Sequence, residues 1–555
     1  GLPRLELMPW LAMLAEIVAG RKSAEFKQPS LLLSRIEALR IQAEAPELQL
    51  GGSGGKIIRE LLAAKACTDP VEIEGFFADL EPFQRTGVRW MRVLGEYQLG
   101  GLLGDDRGLG KTVQCIGHLQ DRKNQGRMTE PALVVVPPVQ EGHWERHLHR
   151  LAPGLSVLVL RGKDGHQAAI DQVRGYDVVI VSWQKLLRDI EAMRGQRFSV
   201  AVLDETEKIH NSATAMAKAI KLLDVGYMVA LNGSPVENNF MDLWSVFDAV
   251  LHGLLGTQTM FQRSFRREIE EQQSVEKLRL LRKRLAPFML RRLKKDSGVT
   301  LPPVQQEEVP LRIKGEQANL YEVIRAATEQ RVNEVLAAGA DGKKRGRILG
   351  ILTQLRQVCC DPRLTDIGLS RGITESAKMK WLEEQIPQMV AAGRRILVVC
   401  FFDSFFDLII KMRQEKGIGF GMNGGGVNKR DAEKAAFKEG RTQVFLLGLK
   451  SGGRGTDLPE ADTVVHVDPW WNPKAHDQAT DRAHRIGQKK TVLNIRLYIE
   501  GSFEERVLEI QERKRLFADS FDEESIFDEG RITDEDVQEM LRPLREIDDE
   551  EPGAP

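Results

Sequence analysis

A glycine-rich segment near residue 105 has the residue types that bind a phosphate group. The run GGLLGDDRGLGKT ends in Gly108, Gly110, Lys111 and Thr112; an apolar stretch leads into it and the helical pattern VQCIGHLQ follows it. Glycines allow main-chain N–H groups to surround an anion at the start of a helix. Lys111 would then contact the β- and γ-phosphates of ATP, and the Thr112 hydroxyl would bind Mg²⁺. The segment predicts a nucleotide site, although Asp105 occupies the first glycine position of the strict GxxxxGK pattern.

A second apolar run ends in two acidic residues. In FSVAVLDETEKIHN, Asp204 and Glu205 stand at the C-terminal end of a strand-like stretch, which is where α/β sheets place their sites. Asp204 would hold Mg²⁺, directly or through a water molecule, and Glu205 would act as the general base. The acidic pair is weak evidence by itself. Together with the phosphate-binding segment upstream, it predicts a site that hydrolyses ATP.

A third charged segment, DQATDRAHRIGQKK, places Arg482 and Arg485 three residues apart, which predicts one face of a helix. Two guanidinium groups placed in this way suit the transition-state charge of a γ-phosphoryl group. The segment follows the apolar run ADTVVHVD and the turn PWWNP, which favours a built site over a solvated helix. We count Gln478 of the same segment among the candidate catalytic residues.

These residues need a framework that brings strand ends together, and the hydrophobic pattern predicts one. From about residue 76, short apolar runs alternate with helical stretches, which indicates a parallel sheet with helices on both faces. The strands predicted in this series are Leu99–Leu103, Ala132–Val136, Val157–Leu160, Val178–Val181, Val200–Leu203 and Met228–Leu231. The pattern is almost purely helical between about 251 and 375, and the strands predicted after it are Ile396–Cys400, Val444–Leu447, Thr463–Val467 and Val492–Leu497. We therefore expect an α/β fold of two parallel-sheet lobes joined by a helical insertion.

Size and composition agree with a two-lobed globular protein. The 555 residues exceed what one hydrophobic core supports, and no apolar run approaches the length of a membrane helix. Five scattered cysteines favour a reducing compartment, so we expect a cytoplasmic protein. The net charge of −1 includes an acidic C-terminal stretch, so it does not exclude a nucleic-acid partner for the rest of the chain. Because the first residue is Gly, we expect a fragment of a longer protein or a chain cleaved from a tag.

The segment QATDRAHRIGQ resembles the last signature motif of the SWI/SNF-type remodelling ATPases, the Snf family within helicase superfamily two. FQRTGVRW, which contains Gln84, resembles the adenine-reading glutamine motif of that family. LVVVPPVQEGHWERH and VVIVSWQKLLRD resemble its DNA-contacting motifs, LNGSPVENNFMDLWSVF its coupling motif, and LLGLKSGGRGTDLPEADTVV the motif that senses nucleotide and DNA. The likeness covers about residues 76–515 in the family's order, and the wording of PWWNP and DQATDRAHRIGQ is closer to bacterial members.

The resemblance implies two RecA-like lobes with ATP in the cleft between them, Mg²⁺ as cofactor, and movement along duplex DNA. Backbone-dominated contacts with little sequence preference are expected for such a partner, and a bacterial member would be associated with the nucleoid. The resemblance also adds Asp106, Gly455 and Asp457 to the nucleotide contacts. The blocks that it implies for DNA contact are Pro137–Trp144, Ser182–Trp183 and Ser451–Gly455.

The resemblance and the hydrophobic pattern together predict the domain boundaries. We expect a helical accessory segment with a Gly/Ser linker over 1–75, a RecA-like ATP-binding lobe with a helical protrusion over 76–300, a helical protrusion of the second lobe over 301–375, a RecA-like C-terminal helicase lobe over 376–505, and a helical brace with an acidic tail over 506–555. A protein partner through the N-terminal region is an open alternative.

Several residues depart from the family pattern. Arg107 stands where an apolar residue is usual, and Glu207 replaces the usual Gln or His at the end of the acidic motif. Because the residues expected to hydrolyse ATP are intact, we expect hydrolysis to survive, whereas Glu207 bears on the coupling of hydrolysis to movement. Further departures are Asp106, Thr206, Asn232 and Asp457. Two alternatives stay open: a helicase that separates strands of DNA or RNA, and an inactive module that only binds nucleic acid.

Overall fold

The computed structural model describes residues 33–45, 53–161, 170, 172–233, 240–270, 272, 274–298, 301–337, 344–365, 368–370, 372–422, 427–449, 457–470, 473–519 and 534–544. The chain divides into two compact units, Gly1–Val299 (unit 1) and Thr300–Pro555 (unit 2). Of the candidate nucleotide contacts, Gly455 lies outside the described residues, as does the whole predicted DNA-contact block Ser451–Gly455.

Unit 1 is built on a seven-stranded parallel sheet. Its central strands are continuous runs of Val, Leu, Ile and Ala that are buried along their whole length, as expected for strands covered on both faces. The strands are β1 Gly101–Leu103, β2 Ala132–Val136, β3 Val157–Val159, β4 Val178–Ser182, β6 Val200–Asp204, β8 Met228–Leu231 and β9 Met289–Leu290, with the small pair β5 Arg197–Phe198 and β7 Asp224–Val225 apart from them. The order across the large sheet is β3-β4-β2-β6-β8-β1-β9.

Unit 2 contains a six-stranded parallel sheet. Its strands are β10 Val304–Leu311, β11 Ile396–Cys400, β12 Phe420–Met422, β13 Val444–Gly448, β14 Thr463–His466 and β15 Val492–Ile499, in the order β10-β15-β14-β11-β13-β12. Alternate residues of β11 belong to different apolar clusters: Ile396 and Val398 pack in one, Leu397 and Val399 in another. Because successive strand residues point to opposite faces, the sheet has a core on each side.

Helices cover both sheets and form the additional layers. In unit 1 they are Arg35–Glu44, Gly54–Ala66, Pro82–Glu96, Lys111–Asn124, Glu141–Leu151, Trp183–Arg188, Ile190–Met193, Ala215–Ile220, Phe240–Val250, Gln258–Phe261, Arg267–Glu270 and Val275–Leu285. In unit 2 they are Gly315–Ala337, Lys344–Ile351, Thr353–Cys360, Ala377–Ala391, Asp403–Lys416, Val427–Lys438, Pro473–Thr480, Phe503–Asp519 and Asp534–Met540. Among the helices of the described ranges, none is both long enough and apolar enough to span a membrane.

The predicted fold class is confirmed: the chain is an α/β protein with two RecA-like parallel-sheet lobes and helices before and between the sheets. Each of the ten predicted strands is present, with shifted ends in several cases. The prediction that 251–375 is almost purely helical is wrong at β10, which forms eight pairs with β15 along the edge of the second sheet. Most side chains of β10 are exposed or half-buried, so an edge strand of this kind has no apolar run by which to predict it.

Candidate nucleotide site

The phosphate-binding segment connects β1 to the helix Lys111–Asn124. Gly108 and Gly110 have φ angles of +88° and +75°, a region that L side chains rarely adopt. Gly110 also has no room for a side chain, since a Cβ atom there would lie 2.5 Å from Nε2 of Gln84. The loop that the glycine pattern predicted is therefore formed, and Gln84 lies directly against it.

Gln84 is fixed on both sides of its amide. It lies in the first turn of the helix Pro82–Glu96, where its Oε1 accepts a hydrogen bond from the backbone N–H of Glu81 at 3.0 Å. That bond leaves Nε2 to donate to the carbonyl oxygen of Leu109 at 3.0 Å. The structure thus joins Gln84 to the phosphate-binding loop, and its contact with adenine remains a prediction.

Lys111 points back into its own loop. Its Nζ donates to the carbonyl oxygen of Asp105 at 2.6 Å and to that of Asp106 at 3.3 Å. Burial lowers the pKa of Lys111, the charge of Asp105 opposes that effect, and Arg107 adds to it. An ammonium group that has lost water in this way gains from an anionic partner. The geometry fits the predicted phosphate contact, and Thr112 follows as the second, half-buried residue of the helix.

Asp106 bonds to the segment after β9, and its contact with the nucleotide remains a prediction. Its carboxylate accepts a hydrogen bond from the backbone N–H of Lys294 at 3.0 Å. Beside it, Asp105 is fully buried and its carboxylate forms an ion pair with Arg292, which also donates to Gln114. These contacts tie the loop to the segment after β9. Asp105, at the first glycine position of the strict pattern, therefore anchors the loop through Arg292.

Asp204 ends β6 and is held by two buried tryptophans. Nε1 of Trp144 donates to Oδ2 of Asp204 at 2.9 Å, and Nε1 of Trp183 donates to its carbonyl oxygen at 3.0 Å. Burial raises the pKa of Asp204, and the charge of Glu207 adds to that rise, while the bond from Trp144 and the charge of Lys111 oppose it. Carboxylate oxygens are ligands that Mg²⁺ takes, and the role of Asp204 as a Mg²⁺ ligand remains a prediction.

Glu205 occupies an unusual backbone conformation, with φ +51° and ψ +69°. Such a conformation in a non-glycine residue is held only where the surroundings determine it, and it is most frequent at functional sites. Its Oε1 accepts a hydrogen bond from Nε2 of Gln140 at 2.8 Å, and both residues are buried. The amide of Gln140, a neutral donor, thus helps to orient the predicted general base.

Gln140, Trp144 and Trp183 were missed as parts of this site because the sequence analysis assigned their segments to DNA contact. For the two tryptophans that assignment is wrong, since both side chains are fully buried. A buried indole N–H needs an acceptor, and each indole has one on Asp204. A tryptophan shortly after each of the apolar runs LVVV and VVIV was the signal that could have indicated this role.

The two main departures from the family pattern contact each other. Nη2 of Arg107 lies 3.5 Å from Oε1 of Glu207, and their side chains are 15% and 12% exposed. Arg107 belongs to the phosphate-binding loop, and Glu207 follows the acids at the end of β6. At position 107 a cation replaces the usual apolar residue, and at position 207 an anion replaces the usual Gln or His. Because the two side chains contact each other, these departures form one joint change of the site.

Asp457, Arg482 and Arg485 form the corresponding charged group in unit 2. Nη1 of Arg482 lies 3.6 Å from Oδ1 of Asp457, and Arg485 forms an ion pair with the same oxygen. The structure brings the predicted arginines together, but not on a helix. The helix Pro473–Thr480 ends before them, and the N–H of Arg482 bonds to the carbonyl of Ala479, three residues back. Tight turns therefore replace the predicted helical face.

The end of that helix is anchored by a buried polar chain. Nε2 of His476 accepts from the N–H of Trp470 at 2.8 Å, so in the neutral ring the proton is on Nδ1. Nδ1 of His476 then donates to Nδ1 of His466 at 2.7 Å, and Nε2 of His466 donates to the Thr480 hydroxyl at 3.1 Å. Burial lowers the pKa of His466 to about 3 and that of His476 well below its ordinary value. Gln478, on the same helix, is half-buried.

Comparison with known proteins identifies the family. Residues 83–364 match the model of the SNF2-related domain, and residues 377–487 match that of the helicase conserved C-terminal domain. An uncharacterised ATP-dependent helicase of Mycoplasma pneumoniae is 32% identical over 470 residues, and the putative ATP-dependent helicase/translocase YwqA of Bacillus subtilis is 32% identical over 502 residues. These alignments cover 83% and 87% of this chain.

The same alignments cover 44% and 53% of the two relatives, so the chain spans about half of their length. Among solved structures, the Sulfolobus solfataricus SWI2/SNF2 ATPase core in complex with dsDNA matches with 29% identity and a TM-score of 0.43. The match covers 85% of this chain and 99% of the archaeal one.

Proposed function

Because the chain belongs to the SNF2-related family of helicase-type ATPases, we propose that it hydrolyses ATP and uses the energy to move along double-stranded DNA, remodelling protein–DNA complexes. The observation that carries the proposal is the arrangement in unit 1, where Lys111, Asp204 and Glu205 lie in one charged cluster at the ends of β1 and β6. A family member that only binds nucleic acid would have no need for a buried, oriented general base.

Each residue of this cluster has a separate role in the proposal. Lys111 and the glycine loop hold the phosphates, and Thr112 and Asp204 hold Mg²⁺, which when bound neutralises phosphate charge. Glu205 accepts the proton of the attacking water molecule. Arg482 and Arg485 of unit 2 stabilise the charge that develops on the transferred phosphoryl group. Gln84 recognises adenine, as its position against the loop supports.

Duplex DNA is proposed as the partner because the block around Pro137 resembles a DNA-contacting motif of the family. Binding to the phosphate backbone releases counterions, with a salt slope of about −0.9 for each neutralised phosphate of duplex DNA. Stimulation of ATP turnover by DNA should therefore weaken steeply as salt rises.

ATP turnover with and without duplex DNA tests the proposal directly. We expect DNA to raise the rate at low salt, and we expect both Lys111→Ala and Glu205→Gln to abolish turnover. The Lys111 variant should lose nucleotide affinity, whereas the Glu205 variant should still bind ATP, because only the base is gone. A rate that does not respond to DNA at low salt would favour the inactive module.

Displacement assays decide how the motor acts on DNA. A translocase should release the third strand of a triplex while leaving the underlying duplex paired. A helicase should separate a forked duplex at a rate comparable to its rate of triplex release. Strand separation without triplex release would contradict the translocase and favour a strand-separating helicase. Lys111→Ala serves as the control for displacement that does not depend on ATP.

A further inference from the structure

The ion pair of Arg107 and Glu207 has hydrogen-bonding capacity that the protein does not use. Of the guanidinium atoms, Nη2 contacts Glu207, while Nε is buried and has no acceptor among the residues that the structure describes. Oε2 of Glu207 is likewise buried and has no donor within the described part of the chain. Buried polar atoms are nearly always bonded in native proteins, so two such atoms in one pair need an explanation.

The pair lies beside the phosphate contact. A Cβ atom placed on Gly233 would lie 2.8 Å from Cγ of Arg107 and 3.4 Å from Nζ of Lys111. The arginine stem and the ammonium group therefore meet at the same glycine. Arg107 also belongs to the loop whose carbonyls hold Lys111. Its guanidinium is a second cation at the place where the nucleotide phosphates are proposed to bind.

A purely structural role explains this pair poorly. A buried ion pair rarely stabilises a fold more than an apolar pair of the same size, because both charges lose their hydration. The contact distance of 3.5 Å is at the limit of a hydrogen bond, so the mutual attraction is not optimised. A guanidinium group has five N–H donors in a planar fork, and it can keep Glu207 while it donates to a second anion.

We propose that Arg107 binds the terminal phosphate of the nucleotide and that Glu207 positions it, so that this pair makes the site select a nucleoside triphosphate over the diphosphate. The inference rests on the proposed function, since it requires Lys111 to hold the phosphates. It assigns the two departures from the family pattern to nucleotide selection. Glu207 acts through Arg107 and is a positioning residue; it does not touch the nucleotide.

The test measures the affinity of the whole chain for a non-hydrolysable ATP analogue and for ADP, both with Mg²⁺, by calorimetric titration. Arg107→Met should weaken binding of the triphosphate analogue by about tenfold or more, the scale of a lost hydrogen bond to a charged group. ADP binding should change by less than about threefold, which also shows that the variant is folded. Arg92→Met, at the partly buried ion pair with Asp121, is the matched control and should change neither affinity.

The double variant Arg107→Met/Glu207→Gln distinguishes a positioning role of Glu207 from a purely structural role. In Arg107→Met the Glu207 carboxylate is left facing the phosphates, so removing its charge should recover part of the lost triphosphate affinity. The expected order of affinity is the unsubstituted protein, then the double variant, then Arg107→Met. Because it buries no unpaired charge, the double variant should fold even where the single variant does not.

Three results would overturn the inference. They are an equal loss of ADP and triphosphate affinity in Arg107→Met, unchanged triphosphate affinity in the double variant, or a double variant weaker than the single one. If the unsubstituted protein binds neither nucleotide, the proposed function fails together with the inference. If it binds and hydrolyses ATP but Arg107→Met keeps the same preference for triphosphate, the inference alone fails.

Discussion

The two groups of predicted catalytic residues are held by different kinds of partner. In unit 1, Asp204 and Glu205 are held by neutral donors, the indole of Trp144 and the amide of Gln140. In unit 2, Arg482 and Arg485 are held by a charged partner, the single carboxylate of Asp457. The first arrangement lies at the end of a buried strand, and the second lies in a turn after a helix.

The difference has a chemical consequence. A neutral donor orients a carboxylate without cancelling its charge, although the charge of Lys111 also acts on Asp204. The carboxylate of Asp457 offsets one of the two positive charges of the arginines, and we expect the arginines to exchange it for a phosphate when they act. Unit 1 therefore has its acids already arranged for chemistry, whereas we expect the arginines of unit 2 to act only after a rearrangement, as in enzymes whose sites are completed by a conformational step.

Substituting the arginines tests unit 2 and has the largest expected effect. Arg485→Ala and Arg482→Ala should each lower ATP turnover by about 10³-fold or more, the scale of a lost arginine finger. ATP affinity and DNA binding without nucleotide should remain nearly unchanged. Lys at either position should rescue poorly, because an ammonium group lacks the planar fork. Steady-state ATP hydrolysis with saturating duplex DNA measures the effect.

Asp457→Asn provides the control for that experiment. It removes the charged anchor but keeps both arginines, so turnover should stay within about tenfold of the unsubstituted protein, much less than the loss of a finger. Near-normal turnover in Arg485→Ala would show that this turn is only a charged surface. A loss in Asp457→Asn as large as that in Arg485→Ala would show that the acid itself is needed, which contradicts the simple exchange described above.

The fold was largely predictable because parallel strands covered on both faces are continuous apolar runs. β2, β4, β6 and β11 could be found in this way. β10 could not, because it is an edge strand with mostly exposed side chains. β9 has two residues, too few for any periodicity to appear, and β12 is a three-residue strand with the sequence Phe-Gly-Met, which is not an apolar run.

The candidate site was predictable where a residue type is tied to a backbone requirement. Gly110 and Lys111 follow from loop geometry, and Asp204 follows from the end of a strand. Residues that act through contacts distant in sequence were not predictable. Trp144 and Asp204 are separated by 60 positions, and Arg107 and Glu207 by 100. In the sequence, Arg107 and Glu207 are two separate departures from the family pattern, and only the structure shows that their side chains contact each other.

Replacing Trp144 tests the neutral anchoring in unit 1. Trp144→Phe keeps most of the buried ring but removes the donor to Oδ2 of Asp204. Loss of such a partner of a metal ligand typically weakens metal affinity 10–100-fold, so the Mg²⁺ concentration for half-maximal ATP turnover should rise by about tenfold. Turnover at saturating Mg²⁺ should change much less, because Glu205 and Lys111 are intact.

Trp90→Phe is the matched control. Trp90 is also fully buried, and its indole donates to the carbonyl oxygen of Pro287 at 2.9 Å, away from the acids. The two variants should lose similar thermal stability, but only Trp144→Phe should change the Mg²⁺ requirement. The same Mg²⁺ dependence in both variants would show that the indole of Trp144 serves packing alone, and the neutral anchoring of Asp204 would be without effect.

The last prediction uses pH to compare the groups that hold the acids of unit 1 with those that hold the arginine segment of unit 2. The anchors of the acids in unit 1 are indole and amide groups, which do not titrate. The helix that leads to Arg482 is instead anchored by His466 and His476, whose pKa values burial lowers, that of His466 to about 3. Mild acid should therefore weaken the His466–His476 anchor of unit 2 while it leaves the indole and amide donors to Asp204 and Glu205 in place; His118 of unit 1, whose pKa burial also lowers, adds a separate acid dependence.

The direction and size of this effect follow from proton linkage. Well above pH 6.5, the ordinary pKa of a histidine, His466 is neutral in both the folded and the unfolded chain, so it adds no pH dependence there. As the pH falls toward and below 6.5 the unfolded chain takes up a proton, whereas folded His466 does not until about pH 3. The free energy of unfolding should then fall by about 0.8 kcal/mol between pH 7.5 and 6.0 for this residue.

Urea denaturation at both pH values measures this change in the free energy of unfolding. His466→Gln should lose that part of the pH dependence. Replacement of the exposed His149 by Gln is the control and should keep it. Equal pH dependence in His466→Gln and the unsubstituted protein would contradict a neutral anchor in unit 2.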